Sequence, residues 1–294
     1  MTRVREYRFL FSPQWLGWFG LAVLFAIACA FLGHWQLDRR TETVAAIDTI
    51  EQNYDHTPLP FAEAAGQFRQ FDSAREWTPV QMTGRYLADQ TRVVRNRPLN
   101  GLPGFEVLVP FRTTDGPIVV IDRGWLPLGS NGNPSAIPAP PSGTVDVVAR
   151  LKHAEGPLDR GAPAGQLASI DLATYASQVD GALGAPLATG AYGALDDEKP
   201  APATSPTAFP RPSLDEGPHL SYAMQWFAFG LLGFVGLGYA ARQQAWVNRN
   251  GGLDDDEDIP AHLRSGAIRK RPRRRTRSTA EDEEDALLDA AGWR

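Results

Sequence analysis

The chain has 294 residues, a net charge of −5 and a single cysteine. One cysteine excludes an internal disulfide, and without a CxxC motif or clustered His and Cys the sequence predicts no zinc or copper site built by this chain alone. The modest net charge hides an uneven distribution. Residues 35–218 carry 15 Lys and Arg against 22 Asp and Glu, while the residues after position 241 carry 11 of each sign in blocks.

The N-terminal region predicts a membrane-spanning helix. Arg3, Arg5 and Arg8 precede an uncharged stretch over residues 9–37. A cleaved signal peptide is the alternative, but this run is longer than the apolar region of a signal peptide, and its small-residue pairs lie inside the run rather than after it. We therefore expect a retained transmembrane helix over residues 15–35.

A second apolar run lies near the other end of the chain. No residue from Leu220 to Ala241 is charged. At about 1.5 Å per residue, a helix of this length reaches about 33 Å, which is enough to cross a bilayer core of about 30 Å. The sequence therefore predicts a second transmembrane helix over residues 219–241.

The charges beside the two helices predict their orientation. Arginines in residues 1–14 precede the first helix, and Arg242, Arg249 and a basic cluster follow the second. Basic residues favour the cytoplasmic side, although residues 38–40 argue weakly for the opposite orientation. We expect a multi-pass protein of the bacterial cell membrane, with both termini cytoplasmic and residues 36–218 extracytoplasmic.

The segment between the two helices predicts an extracytoplasmic α+β domain. It combines short β-rich runs, separated by turn residues, with helical stretches at 38–53 and 170–178. Short turns favour an antiparallel sheet or an open barrel with a helix or two packed against it. A stretch rich in Pro, Ala and Ser at 200–212 is typical of a linker. The predicted strands cover residues 78–84, 91–95, 105–111, 118–122 and 145–151.

Residues 242–294 predict a disordered, charged cytoplasmic tail. Acidic blocks at 254–258 and 281–285 enclose a basic block at 269–277, and blocks of like charge bury no core. The basic block is suited to anionic lipid, while the alternative is a solvated tail without a specific partner. Aromatic residues do not alternate with the basic ones, so the sequence does not predict nucleic-acid binding.

Catalytic motifs are absent from the sequence. It contains no G-x-S-x-G, H-E-x-x-H, Walker or G-x-G-x-x-G motif. Between His34 and His219 the only histidines are His56 and His153, and neither has a Ser or Cys nucleophile in a recognisable context. The sequence therefore predicts that this protein is not an enzyme.

Four stretches of the sequence, taken in their order, resemble a known family. The four stretches are Leu32-Gly33-His34-Trp35-Gln36-Leu37-Asp38-Arg39-Arg40, Gly84-Arg85-Tyr86, Val120-Ile121-Asp122-Arg123-Gly124-Trp125-Leu126-Pro127 and His219-Leu220-Ser221-Tyr222-Ala223-Met224-Gln225-Trp226-Phe227. Together with the two-helix topology, they resemble the Surfeit locus protein 1 family of cytochrome c oxidase assembly factors over roughly residues 15–245.

The resemblance implies a membrane protein that aids assembly of the heme-bearing core subunit of the oxidase. It also implies that the histidine opening the second helix, here His219, binds heme a as an iron ligand. The implied partners are the oxidase core subunit, the machinery that makes or delivers heme a, and membrane lipid. A membrane-tethered scaffold or binding module without a cofactor is the alternative.

The neighbours of His219 suit this role chemically. Imidazole is a common axial ligand of heme iron, and a helix end at the lipid boundary suits an amphipathic macrocycle. Tyr222, Trp226 and Phe227 offer aromatic walls for it. The alternative is a histidine at a helix start that is bonded to solvent or backbone. His219, Tyr222 and Trp226 are therefore candidate cofactor-binding residues.

His34 is a candidate for a second axial ligand. It lies near the outer end of the first predicted helix, and His219 lies at the outer end of the second. The two imidazoles are therefore expected at a similar depth, as both axial positions of one heme require. Position 34 varies in the family pattern, so a mechanism shared by the family does not require this histidine.

Arg123 is the last candidate cofactor-binding residue. Its guanidinium matches carboxylates, so it is suited to a heme propionate or to the partner subunit. In the alternative, structural interpretation, Asp122 and Arg123 leave the strand, Gly124 makes the turn and Trp125 packs as an anchor.

Overall fold

The computed structural model describes residues 7–114, 116–130, 132–134 and 136–250. These residues fall into two compact units, one made of residues 7–23 and 233–250 and the other of residues 24–232. The charge blocks of the predicted tail lie outside the described residues, as do Arg3 and Arg5.

The described residues contain four α-helices, which are α1 (Pro13–Asn53), α2 (Phe61–Ala64), α3 (Leu172–Leu183) and α4 (His219–Asn250). Helix α1 is continuous through residue 35, so the first predicted membrane span and the helix predicted at 38–53 are one element. Helix α4 extends past residue 241, so the first residues of the predicted tail are helical rather than disordered.

Helices α1 and α4 are both long and apolar enough to cross a membrane. Only 11% of the most apolar 18-residue window in each helix is buried, and large apolar side chains such as Leu24 and Ile27 face outward. A helix in the core of a soluble protein buries such side chains, whereas lipid favours their exposure. The prediction of two long apolar helices is confirmed, while their orientation and the lipid boundaries stay predictions.

Eight strands form one sheet in the described residues: β1 (Leu59–Pro60), β2 (Pro79–Tyr86), β3 (Arg92–Arg95), β4 (Gly104–Thr113), β5 (Ile118–Pro127), β6 (Val145–His153), β7 (Gln166–Leu167) and β8 (Leu187–Lys199). The sequence predicts β2 to β6, with bounds that differ by a few residues. It does not predict β8, because this Gly-, Ala- and Asp-rich strand lacks the alternating β-branched and aromatic residues of a typical strand.

The sheet closes into a barrel. Its strand order is β1-β2-β6-β8-β5-β4-β3-β7, and β2 also pairs with β4, so β2, β6, β8, β5 and β4 form a closed ring. The predicted alternative of a barrel is confirmed, but its ring is closed rather than open, and the sheet is not wholly antiparallel because β5 and β8 are parallel neighbours. Parallel neighbours need a long crossover, and here it passes through β6 and α3.

Two apolar cores lie on the two sides of the barrel wall. Val107 and Phe111 of β4 belong to the inner core. Leu108 of the same strand belongs to an outer core, where the Tyr175 hydroxyl of α3 donates a 2.6 Å hydrogen bond to the Gln90 carbonyl. Strands β4 and β5 therefore bury both faces, which explains their nearly continuous apolar sequence.

The seam between β2 and β4 depends on Gly84. This residue pairs with Thr113, and a Cβ on it would lie 2.2 Å from the carbonyl oxygen of Arg112. No side chain fits at that distance, so glycine is what lets the two backbones approach and close the ring. Closure of the barrel therefore explains why the Gly84-Arg85-Tyr86 stretch begins with glycine.

Strand β5 continues through Pro127, so the expectation that the chain leaves the strand at Asp122 and Arg123 is wrong. Arg123 and Gly124 instead form a β-bulge, where the register with β4 shifts. Gly124 has a φ of +126°, which other residues rarely adopt. The expectation that Trp125 is an anchor is confirmed, because its buried ring donates a 2.7 Å hydrogen bond from Nε1 to the Arg97 carbonyl.

Within the larger unit, α1 and α4 run antiparallel and pack through small residues. A Cβ on Gly33 would lie 2.7 Å from the ring of Phe227, and one on Gly230 would lie 3.3 Å from the Cβ of Cys29. Cys29 is buried and has a free thiol, as expected of a small packing residue. Small residues allow close helix approach, as is common between membrane helices.

The segment between β8 and α4 is extended and attached to the rest of the larger unit. Thr207 exchanges two backbone hydrogen bonds of 2.8 Å with Trp125. Arg211 donates to both carboxylate oxygens of Asp55, at 3.0 and 2.7 Å. The predicted linker is therefore held by the barrel and by the residues that follow α1.

The smaller unit consists of the N-terminal part of α1, the C-terminal part of α4 and a short 3-10 turn at Arg8–Phe11. Aromatic rings make its contacts. Phe9 packs edge-on against Trp15 at 5.1 Å between ring centroids, and Phe19 lies 6.5 Å from Phe234.

Candidate functional site

His219 is the first residue of α4 and lies against α1. Its Nδ1 is 3.0 Å from Oε1 of Gln36, a residue 183 positions away in the sequence. The antiparallel packing of the two helices brings these positions to one level, and His219 is half-buried there. Close below, the contact of Gly33 with Phe227 keeps the helix backbones near each other.

The contact with Gln36 favours one tautomer of the His219 imidazole. An amide oxygen only accepts hydrogen bonds, so this contact fits the tautomer in which Nδ1 donates to Oε1 of Gln36. Nε2 then holds a lone pair and is the nitrogen suited to a metal. The sequence motif contains Gln36 but suggests no role for it, because the role exists only when α1 and α4 are packed together.

Tyr222 and Trp226 share one face of α4 with His219, since positions i, i+3 and i+7 lie on the same side of a helix. Tyr222 is 49% exposed and Trp226 is half-buried. Phe227 turns instead towards Gly33 of α1. Accessible aromatic rings beside a metal-binding nitrogen suit an apolar macrocycle with an axial ligand, so these residues fit a heme.

His34 lies on a different side of α1. Gly33 and Gln36 both face α4, and each residue of a helix is turned about 100° from the one before, which directs His34 away from α4. Its side chain is 76% exposed, and its Nε2 lies 3.9 Å from Oδ1 of Asp38. The structure therefore does not bring the two predicted axial ligands together.

The head of α4 is also held through the segment that precedes it. Arg40 of α1 contacts the carboxylate of Glu216 at 2.7 Å, three residues before His219. The first hydrogen bond of the helix runs from the amide of Tyr222 to the carbonyl of Pro218. Together with Gln36, these contacts join the start of α4 to the same turns of α1.

Arg123, the remaining predicted site residue, lies inside the barrel. Its fully buried guanidinium donates to Oε1 of Glu198 at 2.6 Å and to the Pro138 carbonyl at 3.0 Å. It also lies 5.4 Å from the centre of the Tyr86 ring. Enclosed in this way, Arg123 has a structural role as a buried ion-pair partner inside the barrel.

The surroundings of Arg123 form a polar network inside an apolar core. Nε of Arg123 is buried without a hydrogen-bond partner among the described residues, and the buried Tyr86 hydroxyl interacts with the side chains of both Glu198 and Arg123. Burial and the nearby charge of Glu198 raise the pKa of Tyr86, so its phenol stays protonated. Partly satisfied networks of this kind make the fold sensitive to the loss of either charge.

A second charged cluster lies on the other side of the wall. Arg97 contacts Glu106 at 2.7 Å and Glu155 at 2.6 Å. Burial raises the pKa of the Asp122 carboxyl well above its ordinary value, and the negative charge of Glu106 is the next largest cause. Burial likewise raises the pKa of Tyr192. Sequence reasoning misses this cluster, because its members come from separate strands and loops.

Within the part of the chain that the structure describes, no group of three or more His, Cys, Asp or Glu is placed to hold a metal ion. What the site around His219 offers is one nitrogen ligand with aromatic neighbours. A single protein ligand suits a metal that a macrocycle already holds, as in heme.

The sequence of this chain matches a known protein family. The family model described as the SURF1 family matches residues 23–231, which include Gln36 and His219. Similar proteins are an uncharacterized SURF1-like protein of Mycobacterium bovis and uncharacterized SURF1-like proteins of two Mycobacterium tuberculosis strains. Each is 34% identical to this chain over 247 residues, which cover 82% of this chain and 88% of the relative.

Proposed function

Because this chain belongs to the SURF1 family, we propose that it assists the assembly of a heme–copper cytochrome c oxidase by holding heme a for the heme-bearing core subunit. Family membership suggests the role in oxidase assembly. The step from there to heme a rests on one observation, the His219 imidazole whose Nε2 is left free by the hydrogen bond to Gln36. This role requires binding and presentation of a cofactor and no catalytic group.

Each residue of the site has a part in this proposal. Heme a, if bound, would supply an iron atom that an imidazole nitrogen can ligate. His219 would provide that nitrogen, and Gln36 would fix the orientation of its ring. Tyr222 and Trp226 would offer aromatic surface to the macrocycle. Arg123 has no part in it, since Glu198 already holds its guanidinium.

We place the protein in the bacterial cell membrane, with both termini in the cytoplasm and the barrel outside. Two long apolar helices and the basic residues flanking them support this placement. Its partners in the proposal are the oxidase core subunit and the machinery that makes or delivers heme a, while membrane lipid surrounds α1 and α4.

Reporter fusions test the orientation. A reporter fused after Arg294 should be active only in its cytoplasmic form, and one inserted at the exposed Ser205 only in its exported form. The physical reason is the excess of basic residues beside the ends of α1 and α4 that we assign to the cytoplasm. The opposite pattern would contradict both the orientation and the side of the membrane to which we assign His219.

The absorbance spectrum tests the proposed cofactor. The full-length protein, purified from cells that make heme a, should show a Soret band with close to one heme per chain. Cells unable to make heme a provide the control. A protein that inserts, folds and supports oxidase assembly without a Soret band would instead be a membrane-tethered scaffold, and the heme proposal would be wrong.

A further inference from the structure

Two arginines stand directly opposite each other across the seam that closes the barrel. Arg85 of β2 pairs in register with Arg112 of β4, next to the pair formed by Tyr86 and Phe111. Tyr86 and Phe111 pack edge-on inside the barrel, so the two arginines lie on its outer face. Side chains placed opposite each other in this way have Cβ atoms about 5 Å apart, and two like charges there destabilise the pair.

These arginines line a pocket of about 330 Å³ on the outer surface of the larger unit. The pocket also contains hydroxyl groups and glycine backbone, which are neutral hydrogen-bonding groups. Its other lining residues are Gly84, Thr113, Thr114, Gly143 and Thr144. The residues just before β6 thus form one wall, and the β2–β4 seam forms the other.

The two positive charges have no acidic partner among the described residues. No described carboxylate lies within ion-pair distance of either arginine, whereas Arg97, Arg123 and Arg150 each contact at least one at 2.6–2.8 Å. Arg112 is held in place by donating from Nη2 to the Leu183 carbonyl, while its Nε is buried without a partner. Arg85 is exposed. The seam therefore holds one fixed and one accessible guanidinium.

This arrangement suits an oxyanion. A guanidinium presents a planar fork of N–H donors that matches the oxygens of a phosphate, and two forks beside each other can bind different oxygens of one group. The hydroxyl of Thr144 adds a donor, whereas the hydroxyls of Thr113 and Thr114 already donate to the carbonyls of Pro117 and Thr83. We propose that this pocket binds a phosphate group, carried either by a free phosphate solute or by the headgroup of an anionic phospholipid.

Thermal stability of the full-length protein tests this proposal, since a ligand that binds only the folded state raises the midpoint of unfolding. Protein in phosphatidylcholine nanodiscs is titrated with inorganic phosphate at constant ionic strength, with chloride as the control anion. In a second arm, nanodiscs containing phosphatidylglycerol replace them without added phosphate. Both arms compare the wild type with Arg85→Gln, Arg85→Lys and Arg75→Gln.

A saturable increase in the midpoint with phosphate, absent with chloride, supports a free phosphate ligand. An increase confined to phosphatidylglycerol supports the lipid headgroup. In either case Arg85→Gln should reduce the increase in the unfolding midpoint at least tenfold. Arg85→Lys should reduce this increase less, because lysine keeps the positive charge and loses only the planar fork of donors. Arg75→Gln, which removes an exposed arginine elsewhere, should respond as the wild type does. Equal responses in the wild type and Arg85→Gln, or none in either arm, would overturn the proposal.

Discussion

Replacing His219 with alanine should lower the heme a content of the purified full-length protein at least tenfold and reduce oxidase assembly, while the protein still inserts into the membrane. Alanine removes Nε2, the nitrogen that the hydrogen bond to Gln36 leaves free for iron. Insertion depends on the apolar length of α4, which this change does not alter. Heme content per chain, the Soret band and the amount of membrane-extracted protein are the measurements.

Gln36→Leu tests the positioning of the His219 imidazole without removing the imidazole itself. Leucine keeps the bulk of the side chain but cannot accept a hydrogen bond from Nδ1. Losing an outer partner of a metal ligand typically lowers metal affinity by about 10- to 100-fold. Gln36→Leu should therefore weaken heme a binding and shift the Soret band, whereas Gln36→Glu, which retains an acceptor oxygen, should preserve both.

Two other histidines provide matched controls. His56→Ala removes an exposed imidazole from the larger unit and should leave heme content unchanged. His34 faces away from α4, so His34→Ala should leave the spectrum of the bound heme unchanged as well. Conversion from a six-coordinate to a five-coordinate spectrum would instead establish His34 as a second axial ligand. Wild-type heme content and spectrum in His219→Ala would show that direct ligation by this residue is wrong.

The second large effect is expected inside the barrel. Arg123→Met should lower the free energy of unfolding by about 3–5 kcal/mol, because it leaves the carboxylate of Glu198 buried and without its charged partner. The double variant Arg123→Met with Glu198→Met should recover most of that loss, since two apolar side chains leave no buried charge. Urea denaturation of the full-length protein in detergent, followed by the near-ultraviolet circular dichroism of the barrel, measures both.

Lys199→Met is the matched control for this pair. Lys199 belongs to the same strand as Glu198 and contacts Asp197 at 3.1 Å, but the side chains of this pair are 76% and 53% exposed. Exposed ion pairs contribute about 0–1 kcal/mol, so this variant should unfold near the wild-type midpoint. If Arg123→Met is no more destabilising than Lys199→Met, the buried pair does not hold the barrel together, and the role of Arg123 must be sought elsewhere.

Sequence patterns were sufficient for elements whose burial repeats along the chain. Strands β2 to β6 carry apolar residues at the spacing of half-buried or fully buried strands, and α1 and α4 carry long uncharged runs. Such patterns report which local faces avoid water. They do not show which strands pair with each other, so they did not predict the β2–β4 pair that closes the barrel or the parallel β5–β8 pair.

Glycines and charged residues in the motifs were harder to interpret. The positive φ of Gly124 belongs to a bulge within β5, and the pattern gave no means of telling a bulge from a turn. The residue type of Arg123 does not tell an anionic ligand from a carboxylate of the same chain, since a guanidinium binds both. Its enclosure by Glu198 decides between them, and Glu198 is 75 residues away on a strand that the pattern did not predict.

The sequence alone thus determined two long apolar helices around an α+β domain, and it located His219 at the head of the second helix, because hydrophobic length and periodicity are local properties. Only the tertiary structure decided that Gln36 orients His219, that His34 faces away from it, and that Arg85 and Arg112 share one pocket. Each of these depends on which distant backbones lie side by side. That information arises from packing and is absent from any single stretch of the chain.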